Sequence, residues 1–108
     1  MNVKRITIIV PVECFDKLET CLRGTGVHGL TVTQVRGFGE HANFYHRDLL
    51  VDNIRVDIYA AEDKVNGIVD TVVNFKSEEF THTGVLAVES VERLVNLRTG
   101  EEVFASDS

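Results

Sequence analysis

His41, His46 and His82 are the side chains in this 108-residue chain best suited to hold a metal ion, because neutral imidazole is a good ligand for zinc, copper and nickel. Their spacing is irregular and no cysteine lies near them, so no metal site is expected, and a metal-responsive protein using these three histidines stands as the alternative function. Asp57 and Glu62 are the obvious carboxylates for acid–base work. No Ser-His-Asp, Cys-His or metal-ligand constellation accompanies them, and Asp57 alternates out of a strand in an ordinary way, so the chain is not expected to be an enzyme. Cys14 and Cys21 fall on one expected helix about 10 Å apart by helical rise, too far to bridge, and read as small core residues. His28 sits in a turn and reads as structural.

Composition narrows the classes further. A formal charge of −6 argues against nonspecific nucleic-acid binding, which needs a basic surface to release phosphate counterions, but permits a compact anion site. Apolar residues are 44% of the chain with one proline, a globular composition, and the length suits one domain over 1–108. The apolar run Ile6 to Val10 is shorter than a signal-peptide core, and no stretch reaches the roughly 18 apolar residues of a membrane span. The expected location is the cytoplasm, with no direct membrane insertion.

The elements that must position these groups follow from periodicity. Lys4 to Val10 is β-branched and reads as a strand stopped by Pro11. Cys14, Phe15, Leu18, Cys21 and Leu22 form the apolar stripe of a helix over Glu13 to Arg23, stopped by Gly24 and Gly26. Leu30 to Arg36 reads as a second strand running into Gly37-Phe38-Gly39, and Glu40 to Asn53 as a loop. Ile54 to Ala61 alternates as a third strand. Val65, Ile68, Val69, Val72 and Val73 mark a second helix opened by Glu62 and Asp63 and ending near Lys76. Val85 to Val88 is a last strand, and Val91 to Leu97 is a helical turn or another strand. The order β-α-β-β-α-β predicts an α+β, ferredoxin-like sandwich with both helices on one face of an antiparallel sheet. Ile and Val on both faces of that sheet predict that oligomerisation covers the open one.

Four stretches carry a resemblance: Gly26-Val27-His28-Gly29-Leu30-Thr31-Val32-Thr33, Val35-Arg36-Gly37-Phe38-Gly39, Gly84 before a strand, and Leu97-Arg98-Thr99-Gly100-Glu101. In this order and spacing they resemble the PII-type signalling proteins. The resemblance implies a homotrimer with lateral clefts between subunits, each holding an adenine nucleotide. It implies that Thr31, Asp57 and Tyr59 face the adenine, that His82, Thr83 and Gly84 border the phosphates, and that Gly37, Phe38 and Gly39 line the same cleft. Gly37 and Gly39 would let backbone N–H groups approach phosphate oxygens, and Arg98 would supply a forked, charged contact.

The departures from the family pattern are equally specific. Glu40 and His41 stand where 2-oxoglutarate-sensing members carry a Gln. His82-Thr83-Gly84-Val85 replaces an ending Gly-Asp-Gly-Lys, and Asn96 replaces the first of two C-terminal arginines. Fewer cations predict ADP or AMP favoured over ATP. Tyr45 lacks the context for uridylylation, and the connection carrying it is shorter than in nitrogen-regulatory members. This is similar to branches associated with carboxysomes or bicarbonate transporters, and it implies bicarbonate as a second ligand met by Arg47, His41 or His46. A bicarbonate transporter or carboxysome protein is then the expected partner.

Overall fold

The computed structural model describes residues 2–27, 29–37, 51–75 and 84–103. Along the chain these form β1 (Val3–Pro11), a 3-10 turn (Val12–Cys14), α1 (Phe15–Arg23), β2 (Thr31–Gly37), β3 (Val51–Ala61), α2 (Glu62–Val73) and β4 (Val85–Val91). One four-stranded sheet runs in the order β2-β3-β1-β4, antiparallel throughout. This is the ferredoxin-like arrangement expected from the alternation of strand and helix periods.

The strand period of two sorts the central strands into two faces. Ile6, Ile8 and Val10 of β1 and Ile54, Val56, Ile58 and Ala60 of β3 are buried together. Cys14, Leu18 and Leu22, with Val65, Ile68 and Val72 from α2, close over them. The other face is mixed. Arg5, Thr7, Arg55, Asp57 and Glu89 cross its middle, while Val3, Ile9 and Val85 lie toward its ends. The expected apolar open face is thus interrupted by a charged band, and hydrophobic burial alone does not demand that it be covered.

Both helices start on acidic residues near the positive end of the dipole, Asp16 in α1 and Glu62 and Asp63 in α2. Within α1, Arg23 pairs with Glu19 one turn back at 2.7 Å, and α1 ends where the Gly24 N–H reaches Thr20 O at 3.3 Å. The turn after Pro11 is 3-10 rather than α, so Cys14 sits in it, buried, and Cys21 in α1, half-buried; no disulfide joins them.

Three boundaries differ most from the sequence expectation, the others by one or two residues. β3 begins at Val51 because Asp52 and Arg36, cross-strand partners, form an ion pair at 2.9 Å and Asn53 is buried, although both residues look loop-like in isolation. β4 continues to Val91 because Glu89 and Ser90 bond to Arg5 and Lys4 of β1. α2 ends at Val73, where the Asn74 N–H closes on Asp70 O at 3.0 Å and the Phe75 N–H on Val72 O at 3.0 Å.

Candidate ligand-binding site

The residues after β4 form neither a helical turn nor a strand. They make a hairpin-like turn closed by a bridge between Val95 and Glu102, with Val103 N–H bonded to Leu94 O at 2.7 Å. Asn96 organises the tip. Its N–H donates to Glu101 O at 2.9 Å, its carbonyl accepts the Gly100 N–H at 2.7 Å, and its side-chain Oδ1 accepts the N–H groups of Arg98 at 2.9 Å and Thr99 at 3.4 Å. Gly100 completes the reversal at φ 74°, a conformation that costs an L side chain strain. The backbone donors point inward, and the side chains of Leu97, Arg98 and Thr99 are exposed.

Arg98 differs from the other described arginines. Arg5 pairs with Glu89, Arg23 with Glu19, Arg36 with Asp52, Arg55 with Asp57 and Arg93 with Glu102. Among the described residues, no carboxylate pairs with the Arg98 guanidinium. A fork-shaped cation held out on a bonded turn is suited to an oxyanion.

The two glycines assigned to phosphate contact stand apart on one chain. Gly37 ends β2, paired with Val51, and Gly84 precedes β4, whose Val85 pairs with Ile9. Both lie at the same end of the sheet but on opposite edges, separated by the width of the intervening strands, about 14 Å. Gly84 has φ 116°, open to glycine and strained for other residues. Val85, directly after it, is 45% exposed and gives that position no cation. The chain leaves β4 at its other end, Val91, before reaching Arg98.

Thr31 is the cross-strand partner of Asp57, so the two share the open face, but Thr31 lies about 20 Å along β2 from Gly37. Asp57 is engaged within the sheet: Thr7 Oγ1 donates to its Oδ1 at 2.7 Å and Arg55 Nε to its Oδ2 at 3.1 Å. Tyr59 is 44% exposed and lies opposite Arg5, about 27 Å along β3 from Val51, the partner of Gly37. It borders a shallow hollow of about 270 Å³ with Arg5, Glu89, Ser90 and Val91. Hydrogen bonding to Glu89, and then its charge, raises the Arg5 guanidinium above its ordinary range. The structure therefore places Thr31 and Asp57 together and does not bring Tyr59 to the glycines. Phe38, Gly39, His41, His46, Arg47, His82 and Thr83 lie outside the described residues, as does His28. No group of His, Cys, Asp and Glu suited to a metal ion occurs among the described residues, and none of the described helices is long and apolar enough to cross a membrane.

Sequence reasoning missed the part played by Asn96. The signal was present, because an Asn followed three residues on by turn-forming Thr-Gly is a common way for a carboxamide to bond its own backbone.

A four-stranded antiparallel sheet with both helices on one face defines a ferredoxin-like α+β protein. The model of the nitrogen regulatory protein P-II family matches residues 3–101, and the chain belongs to that family of regulatory proteins. A nitrogen regulatory protein P-II of Klebsiella oxytoca is 31% identical over 106 residues, covering 92% of this chain and 95% of its own. Nitrogen regulatory protein P-II 1 of Escherichia coli K12 has the same identity and coverage, 31% over 92% of this chain and 95% of its own, and the Cereibacter sphaeroides protein is 29% identical over 91% and 94%. In fold, the chain is similar to Arabidopsis thaliana PII bound to citrate, with a TM-score of 0.73 at 24% identity over 94% of this chain and 85% of that one.

Proposed function

We propose that this P-II family protein is a homotrimeric sensor that binds an adenine nucleotide, ADP or AMP in preference to ATP, in clefts between its subunits. The observation that carries this reading is the scatter of the phosphate-suited groups over one chain. Gly37 and Gly84 lie on opposite sheet edges and Arg98 follows the far end of β4, so a site using all of them needs residues from more than one copy. The unpaired guanidinium of Arg98 among the described residues supports an anionic ligand.

The preference among nucleotides follows from charge. Val85 and Asn96 stand where relatives carry cations, and each lost charge-assisted hydrogen bond is worth about 1.5–3 kcal/mol, felt most by the ligand with most phosphates. Bicarbonate is the second ligand in this reading, bound beside the nucleotide by Arg47, His41 or His46. The connection from β2 to β3 starts at Gly37, so a ligand at that glycine touches its root. A partner in inorganic-carbon transport or the carboxysome reads that connection, and the protein acts as a regulator in the cytoplasm without catalysing a reaction.

Isothermal titration with ADP, AMP and ATP, with and without bicarbonate, tests the proposal. One nucleotide bound per chain, ADP tighter than ATP and strengthened by bicarbonate, is the expected result, because linked ligands must change each other's affinities. ATP binding tenfold tighter than ADP overturns the preference, and an ADP affinity indifferent to bicarbonate removes the second ligand.

A further inference from the structure

We infer that Asn96 is a positioning residue for Arg98, an inference that rests on the reading of Arg98 as a phosphate contact. Asn96 takes part in four of the hydrogen bonds that shape the turn: one from its N–H, one to its carbonyl and two to its Oδ1. The two side-chain bonds end on the backbone N–H groups of Arg98 itself and of Thr99, so they hold the Cα from which the guanidinium projects. Thr99 adds a bond from the other side, its Oγ1 accepting the Glu101 N–H at 3.2 Å.

The turn has little else to hold it in place. Within one chain Asn96, Leu97, Arg98, Thr99 and Gly100 are all exposed, and Leu97 keeps 95% of its surface in solvent, so packing inside the subunit does not fix the tip. An arginine at position 96 has only donors in its side chain and cannot accept the Arg98 and Thr99 N–H groups. The carboxamide therefore exchanges a possible second cation for order in the remaining one. An ordered arginine loses less side-chain and backbone freedom when it binds, which is the physical content of preorganisation.

The test is a double-mutant cycle on the full chain, with ADP titrated into the wild type, Asn96→Ala, Arg98→Ala and the double variant, and with amide hydrogen exchange read at Arg98 and Thr99. Arg98→Ala is expected to weaken ADP about 10- to 100-fold. Asn96→Ala is expected to weaken it about fivefold, the scale of a lost local cap, and to do so only while Arg98 is present. Exchange at Arg98 and Thr99 should quicken in Asn96→Ala and slow again in Asn96→Asp, whose carboxylate restores the acceptor. An unchanged affinity in Asn96→Ala beside a weakened Arg98→Ala overturns the positioning role alone. So does an equal loss from Asn96→Ala in both Arg98 backgrounds. If Arg98→Ala binds like the wild type, or the wild type binds no ADP, the reading of the site fails and takes the inference with it.

Discussion

Thr7 and Asp57 face each other across β1 and β3, and the threonine hydroxyl donates to the carboxylate at 2.7 Å on the open face of the sheet. Asp57 is only 17% exposed and holds Arg55 with its other oxygen at 3.1 Å. A carboxylate this far out of water depends on its donors. Replacing Thr7 with the near-isosteric Val removes one and leaves the packing almost unchanged, so urea unfolding of Thr7→Val should show a loss of about 1–3 kcal/mol. A stability equal to that of the wild type would mean that water replaces the hydroxyl without penalty.

Gly84 and Gly67 should respond in opposite directions to the same substitution. Gly84 has φ 116°, so Gly84→Ala forces a side chain into a strained conformation and should cost about 1–3 kcal/mol. Gly67 lies inside α2, and a Cβ there meets nothing within 4 Å, so Gly67→Ala should gain roughly 0.5–1 kcal/mol from helix propensity. Paired thermal melts would reveal the contrast as a lowered and a raised Tm.

Val85 offers a gain-of-function test of nucleotide preference. The side chain stands directly after Gly84 at the start of β4 and is partly exposed, so Val85→Lys adds a cation without burying it. ATP affinity should rise relative to ADP by about tenfold or more, the scale of one charge-assisted bond. Equal gains for both nucleotides would place the new ammonium away from a third phosphate.

The proposed assembly predicts a molecular mass near that of a trimer by light scattering, and the separation of Gly37 from Gly84 predicts how the site is shared. Mixing Gly84→Ala subunits with Arg98→Ala subunits should restore some clefts to wild-type composition if each cleft of the proposed trimer draws these two residues from different copies. A mixture binding ADP no better than either variant alone would count against sharing.

Much of the fold was legible because its signals are local. Leu18 and Leu22 repeat at the helical spacing, Ile54, Val56 and Ile58 alternate at the strand spacing, and both sets proved buried. The failures came where a residue's local character disagreed with its partner. Asp52 and Asn53 look like loop and are held in β3 by the facing β2, and Glu89 and Ser90 look like a strand end and are held in β4 by Arg5 and Lys4. The family motifs pointed to Gly37, Gly84 and Arg98 as candidate residues, but nothing in the chain order says that the two glycines stand on opposite edges.

The sequence by itself determined the order of strands and helices and which side of each is apolar, since hydrophobic spacing acts between near neighbours and survives without any partner. Only the tertiary structure decided the register that sets Arg5 against Glu89 and Thr7 against Asp57, leaving Arg98 without a carboxylate partner among the described residues. Charge pairing acts over a few ångströms, and only the folded sheet brings together side chains as far apart in the chain as Arg5 and Glu89.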